Sequence, residues 1–325
     1  MNGPVLVTGG AGYVGSCLVK KLLSEETPVV VLDNFSFGGE ALLPLMGNPL
    51  LKVLHGDVRD AEAVRDALRG VSGVAHLAAI VGDPACAADP ELAESINWTG
   101  ANLLFDEALK APTVTRFVFA STCSNYGKMK GDGYVKEDSE LTPVSLYAKL
   151  KVRFEQRLMS EKTRPGFAAT ALRFATACGV SPRMRFDLTV NEFCRDMALK
   201  RPLEVFGEQF WRPYCHVEDL AGAVQLVLNA PEAKVKNEVY GVGDTQENYQ
   251  KSTLVERIGR RCSGAPVKFV PRTEDPRDYR VDFTKIHRNL GFKVTRRLDS
   301  TIDEIVGGIR QGLWQDPYAK RHANV

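Results

Sequence analysis

The sequence predicts an α/β protein built on a doubly wound parallel sheet, and three observations carry that prediction. The opening stretch, Val5-Leu6-Val7-Thr8-Gly9-Gly10-Ala11-Gly12-Tyr13-Val14-Gly15-Ser16, is an apolar strand that breaks at two glycines before Val14, Leu18 and Leu22 recur at helical spacing. A second apolar run, Val29 to Leu32, ends in Asp33. Strand and helix patterns then alternate as far as Thr122, a pitch that places helices on both faces of a parallel sheet.

Each element brings its own chemistry. A strand–turn–helix leaves the first helical N–H groups facing outward, where they and the helix dipole hold a pyrophosphate. Gly9 can take a positive φ, Gly12 lets phosphate approach the backbone, and Gly15 lets helix and strand pack closely; Tyr13 and Val14 follow in the same turn. The spacing is one residue wider at the start than Gly-x-Gly-x-x-Gly, and alone it is weak evidence. Asp33 lies where a carboxylate accepts both hydroxyls of an adenosine ribose and repels a 2′-phosphate, so NAD is expected rather than NADP. Asn34 to Pro49 reads as a loop on the adenosine side. A third strand, at Val53 and Leu54, leads to Asp57 and Val58, and Val64 and Leu68 mark a helix. A fourth strand, Val74 to Ala79, closes in Leu77-Ala78-Ala79, small enough for backbone to reach the second ribose.

Pro90 to Lys110 reads as one long helix, within which Asn97 needs a hydrogen-bond partner, in the neighbouring strand or in a water. The fifth strand, Arg116 to Thr122, runs into Ser121-Thr122-Cys123-Ser124-Asn125, hydroxyls at the end of a central strand where a crevice ligand would sit. Tyr147 and Lys151 follow at i, i+4, which puts a phenol and an ammonium on one helix face. A Tyr acting as base must lower a pKa of about 10. A nearby ammonium and a positive nicotinamide both favour phenolate, so Lys151 is expected to pull Tyr147 toward neutrality while Thr122, with Ser121 behind it, aligns the same substrate oxygen.

Composition narrows the class. With 325 residues, 44% of them hydrophobic, the chain can bury a large core in one domain or two closely joined ones. A net charge of +2 without a basic block gives nucleic-acid or membrane-surface binding no support. No apolar run approaches ~18 residues, and the N-terminus lacks a signal-peptide pattern, so a soluble cytoplasmic protein is expected. The seven cysteines are scattered and never form Cys-x-x-Cys, and the five histidines lack ligand spacing; no disulfide framework and no metal are expected. Cys123 beside the hydroxyl cluster reads as a small space-filling residue rather than a reactive thiol.

In order and spacing, Thr8 to Gly15, Asp33-Asn34, Asp57-Val58, the Ser-Thr ending before Tyr126-Gly127, and Tyr147 with Lys151 resemble an extended short-chain dehydrogenase/reductase of the NAD-dependent nucleotide-sugar epimerase/dehydratase family. That resemblance spans essentially the whole chain. It implies a Rossmann-type NAD-binding part over residues 1–170, with a returning segment near 212–240, and a smaller C-terminal α/β substrate-binding region, mainly 171–325. It makes Tyr147 the base, Lys151 the ribose-holding cation and Thr122 the orienting hydroxyl. By the same resemblance Phe174 lies near nicotinamide, Arg212 meets the nucleotide diphosphate, Arg272 meets phosphate and Asp275 the nucleoside ribose. A homodimer through the helix around Asn97 and the helix carrying Tyr147 is also implied.

Departures from the family pattern bear on the reaction. The 4,6-dehydratases carry Asp-Glu after the Thr, and the decarboxylases a Glu at the second of these positions; here Cys123-Ser124 stand there, and neither is a carboxyl acid. Thr176 replaces an Asn that holds diphosphate in the 4-epimerases, and Val81 replaces a Lys; Arg183 and Arg185 are the candidate replacements in that grip. The expected activity is 4-epimerisation of a nucleotide-diphosphate sugar through a 4-keto intermediate. A 4-dehydrogenase or ketoreductase, which shares the half-reaction, and a non-catalytic NAD-binding regulator remain as alternatives.

Overall fold

The computed structural model describes residues 3–129, 131–272 and 277–324. Strand β1 (Val5–Thr8) is buried along its whole length and passes through the glycine turn into α1 (Tyr13–Ser24). The alternation continues through β2 (Val29–Asp33), β3 (Leu51–His55), α2 (Ala61–Ala67) and β4 (Gly73–His76). The loop after β2 holds one 3₁₀ turn, Glu40–Leu45. Helices α3 (Asp83–Ala88) and α4 (Pro90–Glu94) follow β4.

The helix expected over 90–110 is interrupted. Ser95–Gly100 form a π turn between α4 and α5 (Ala101–Lys110), and Asn97 sits inside it. Its amide accepts the Ile80 N–H at 2.8 Å and donates to the Ile80 carbonyl at 2.9 Å. The wider turn thus carries a side chain that pins the loop after β4, which is the structural role an interior Asn needs.

Next come β5 (Arg116–Thr122), α6 (Leu146–Ser160) and β6 (Ala168–Phe174); Ser145 caps α6 by accepting the Ala148 N–H at 3.2 Å. The chain then leaves the sheet through β7 (Thr176–Cys178), α7 (Thr189–Ala198), β8 (Leu203–Phe206) and β9 (Trp211–His216). It returns through α8 (Val217–Asn229), α9 (Glu232–Val235) and β10 (Glu238–Val242). The remainder comprises β11 (Asn248–Gln250), α10 (Lys251–Gly259), β12 (Val267–Val270), α11 (Thr284–Leu290) and α12 (Leu298–Arg310).

The main sheet has seven parallel strands in the order β3-β2-β1-β4-β5-β6-β10. Residues 211–216 stay outside it, in a sheet with β7 and β11. Strand order reverses between β1 and β4, where a crevice opens beyond the carboxyl ends. Leu18, Leu22, Leu220 and Val224 of α1 and α8 cover one face of the sheet, and Val64, Leu104, Phe105 and Phe154 of α2, α5 and α6 cover the other. A separate core around Phe193, Leu254, Ile302 and Ile305 supports the C-terminal region. No described helix is long and apolar enough to cross a membrane.

Two polar groups lie inside this packing. His76, at the end of β4, places Nδ1 2.8 Å from Thr8 Oγ1 among the rings of Phe117, Phe119 and Phe154. Burial, reinforced by the Lys151 charge, lowers its pKa to about 3 and keeps it neutral. Behind β5, Arg173 Nη2 donates to Glu155 Oε1 at 2.6 Å, and both side chains are about 95% buried. Ser121 Oγ donates to Glu155 Oε2 at 2.6 Å, and Arg173 Nη1 donates to the Tyr126 hydroxyl at 3.1 Å. The pair joins β5, α6 and β6.

Replacing Arg173 with Ala strands the Glu155 carboxylate, and a loss of ~3–5 kcal/mol in urea unfolding is expected; the double change Arg173→Met with Glu155→Leu should recover much of it. His76 gives a pH signature. Between its ordinary value of 6.5 and about 3 the unfolded chain binds a proton that the folded chain refuses, so stability falls as pH drops through that window. His76→Phe is expected to flatten this part of the profile in melting curves taken from pH 7 to 4.

Candidate active site

The carboxyl ends of β1, β2, β4, β5 and β6 open into one cleft of about 500 Å³. Its floor is the glycine turn. Gly9 has φ 72°, and a Cβ there would lie 2.8 Å from the Ala78 amide nitrogen; at Gly15 it would lie 2.0 Å from the Gly9 carbonyl oxygen. Both positions need glycine so that the turn can close against β4 and α1. Over Gly12 the only near atom is the Gly9 oxygen, at 3.1 Å, which leaves that backbone open to a ligand.

Asp33 stands at the end of β2. Its Oδ2 accepts the Ala11 N–H at 2.9 Å and its Oδ1 accepts the Phe35 N–H at 2.8 Å, so the carboxylate ties the glycine turn to the loop that follows. Burial raises its pKa, and these two N–H donors act against that. Asn34 donates to Asp57 at 3.3 Å, and Arg59 beside Asp57 holds that carboxyl below its ordinary value. Asn34, Asp57, Val58, Leu77, Ala78, Ala79, Tyr13 and Val14 all line the cleft. An open glycine backbone at a helix start, a carboxylate at the ribose distance and a small-residue strand end together fit NAD.

At the other end of the cleft Thr122, Tyr147 and Lys151 come together. Thr122, Lys151, Phe174 and Thr176 line the cleft with Tyr147, and the Thr122 hydroxyl favours the ionised form of the phenol. Tyr147, Lys151 and Glu155 follow at i, i+4 and i+8 on α6, so the buried Arg173–Glu155 pair fixes the face that presents the phenol. Lys151 Nζ donates to the Ala120 carbonyl at 2.8 Å and lies 5.8 Å from the Tyr147 ring centre. Burial lowers its pKa to about 8, near neutrality but still favouring the ammonium at pH 7.

The expected lowering of Tyr147 is corrected here. Burial is the largest influence and pushes the phenol above 10.0, helped by Cys86 and Asp83; Arg185 and the Thr122 hydroxyl pull the other way. The i, i+4 spacing gave the neighbour correctly but not the loss of water around the phenol. Ser121 stands behind Thr122: alternation along β5 turns its hydroxyl to Glu155, away from Thr122's side. Cys123 is buried, with Sγ 3.3 Å from the Arg173 carbonyl, and burial raises its pKa, as suits a space-filling residue.

Among the expected arginines, Arg183, Arg185 and Arg212 line the cleft. Arg185 pairs with both oxygens of Asp187, at 2.9 and 2.6 Å. Arg212 lies with its guanidinium carbon 5.2 Å from the Tyr279 ring centre. Arg272 is not among the lining residues; it stacks on Phe206 at 5.0 Å, because its segment continues the edge where β12 pairs with β8. Asp275 lies outside the described residues. Sequence reasoning missed Arg277, which lines the cleft and pairs with Asp83 at 2.7 Å, and it missed Phe37 and Asn324. The one signal for Arg277 was its place five residues beyond Arg272; nothing local marked the other two.

Comparison with known proteins agrees with this geometry. A family model described as the NAD dependent epimerase/dehydratase family matches residues 5–243. The UDP-glucose 4-epimerase of Corynebacterium glutamicum is 29% identical over 306 residues, covering 89% of this chain and 90% of the relative. A dTDP-glucose 4,6-dehydratase of Streptomyces niveus is 28% identical over 326 residues, covering 96% and 95%. The crystal structure of Thermus thermophilus UDP-glucose 4-epimerase in complex with NAD superposes with a TM-score of 0.82 at 26% identity, covering 94% of this chain and 99% of that one. With its glycine turn, its Tyr147–Lys151 pair and a match over most of its length, the chain belongs to the NAD-dependent epimerase/dehydratase family.

Proposed function

We propose that the enzyme is an NAD-dependent 4-epimerase of a nucleotide-diphosphate sugar. The observation that carries this reading is that Thr122, Tyr147 and Lys151, one helical turn from Tyr147, line the same cleft that begins at the glycine turn. Bound NAD supplies the hydride acceptor and donor at the sugar carbon.

The roles follow from the side chains. Burial holds the Tyr147 phenol protonated, and a positive nicotinamide beside it would favour the phenolate; in that form Tyr147 takes the proton from the C4 hydroxyl and returns it after the ketone has turned over. Thr122 hydrogen-bonds the same oxygen and holds it in line. Lys151, fixed by the Ala120 carbonyl and 5.8 Å from the Tyr147 ring centre, would hold a cofactor ribose. Arg212 and Arg185 suit the substrate diphosphate, a bidentate task for guanidinium groups. Phe174 and Thr176 line the cleft where the nicotinamide and the sugar would lie. Nothing beside Thr122 supports elimination of water: Cys123 is buried against the Arg173 carbonyl, and Ser124 offers a hydroxyl rather than an acid. That leaves hydride removal and return at the sugar carbon, the two steps of an epimerase.

We infer a homodimer through the α5 and α6 layer. Helix α6 lies beside α5 and the π turn that holds Asn97, with Arg153 stacked 3.7 Å over Trp98 of that turn and Arg157 paired to Asp106 of α5. Light scattering of the purified protein should give twice the chain mass, and a monomer at all concentrations would refute this.

The test of function offers purified enzyme a panel of nucleotide sugars with no added oxidant. Conversion of one sugar to its 4-epimer by protein carrying NAD is the expected result. A single stoichiometric reduction of NAD that stops until an oxidant is supplied would establish the dehydrogenase instead. Tyr147→Phe is expected to lower kcat at least ~100-fold with little change in KM, because it removes proton transfer and leaves binding intact.

A further inference from the structure

Three separate stretches of chain meet at the cofactor end of the cleft. Arg183 comes from the crossing segment after β7, Phe37 from the loop after β2, and Asn324 from the last described residues. Arg183 Nη1 donates to Asn324 Oδ1 at 2.6 Å, and its Nη2 donates to the Ala323 carbonyl at 2.9 Å. The guanidinium carbon lies 4.5 Å from the Phe37 ring centre. The Asn324 N–H donates to Asp187 Oδ2 at 3.1 Å, so the tail also braces the Asp187 that holds Arg185.

Two features of Arg183 point to an anionic ligand. It is only 7% exposed, and its buried Nε donor has no hydrogen-bond partner among the described residues. A buried donor left unmade is costly, and a ligand oxygen would satisfy it. Its two described acceptors are neutral oxygens, which leave its charge available to a ligand. Burial lowers its pKa only to about 10, so it is a cation at neutral pH.

Position decides which anion. Residues 179–181 are fastened to the start of α1: Tyr13 donates its hydroxyl to the Gly179 carbonyl at 2.6 Å, Ser181 donates to the Tyr13 carbonyl at 2.7 Å, and the Ser16 and Ser181 hydroxyls meet at 3.2 Å. That helix start is the pyrophosphate site of the cofactor. Phe37 stands four residues beyond Asp33, the ribose acid, on the same side. Arg212 reaches the cleft from β9 and the Tyr279 ring, in the region that receives the sugar nucleotide.

We propose that Arg183, Phe37 and Asn324 form a clasp over the pyrophosphate of NAD and retain the cofactor between turnovers, so that Arg183 grips cofactor rather than substrate. The inference rests on NAD binding in this cleft and is independent of which sugar reaction follows. Guanidinium pairing with pyrophosphate supplies the charge, the Phe37 ring holds the guanidinium plane, and the Asn324 amide fixes its orientation.

The experiment compares wild type with Arg183→Ala, Arg183→Lys, Asn324→Ala and Phe37→Ala. NAD remaining per protomer is measured after gel filtration, and its release rate is measured by exchange against labelled NAD. UDP affinity is measured separately on protein saturated with NAD. Arg183→Ala is expected to speed NAD release roughly tenfold or more, the scale of one charge-assisted contact, with Asn324→Ala and Phe37→Ala in between and UDP affinity unchanged. Unchanged NAD release in the Arg183 variants would overturn the proposal, as would weakened UDP binding with normal NAD retention, which would return Arg183 to the substrate. If Arg183→Ala does not fold, Asn324→Ala and Phe37→Ala decide by the same two readouts. A failure to epimerise any sugar leaves the NAD release measurement standing, so the two readings fail separately.

Discussion

The reactive end of this molecule depends on one buried ion pair. Arg173 and Glu155 are almost without solvent, and desolvating both charges is costly unless every remaining donor and acceptor is used. Here most are: Ser121, Asn125 and Tyr126 complete the network, and the Arg173 guanidinium lies 5.1 Å from the Tyr126 ring centre. The pair joins the ends of two neighbouring strands to the helix that packs across them. Because Glu155 lies two turns beyond Tyr147 on that helix, the rotation of α6 about its own axis is set by the ion pair. Thr122 on β5 and Tyr147 on α6 can therefore meet without either being held by a loop.

Placement of the reactive side chains on rigid elements contrasts with the opposite wall of the cleft. Arg183, Arg185 and Arg212 come from short connections and a small sheet, and their orientation depends on local partners: Asn324, Asp187 and the Tyr279 ring. Such a division suits a family in which the hydride chemistry is shared and the substrate differs. The wall that carries Thr122 and Tyr147 is anchored in the main core, whereas the wall that carries the arginines can be rebuilt by substitution.

Much of the first wall was legible in the sequence because its signals are local. The glycine turn is encoded within a dozen residues, Asp33 follows at the end of the next strand, and Tyr147 and Lys151 are separated by one helical turn. The second wall was less legible for the same reason reversed. Asn324 meets Arg183 across 141 positions and Arg277 meets Asp83 across 194, and no periodicity spans such separations. Arg272 was misplaced because an arginine in a loop carries no sign of which side of the chain will face the cleft. The ionisation of Tyr147 was misjudged on different grounds: spacing reveals a neighbouring charge, but desolvation depends on everything packed around the phenol.

The Asp83–Arg277 pair carries a consequence for the cleft that both residues line. It links the loop after β4 to the segment leading into α11, and its side chains are 24% and 39% exposed. An ion pair so open to water contributes no more than about 1 kcal/mol, and added salt weakens it further. This link is thus one that thermal motion and salt loosen readily, while the cores on either side of it stay intact. Breaking it requires no unfolding of either core, and its strength answers to the ionic strength of the medium.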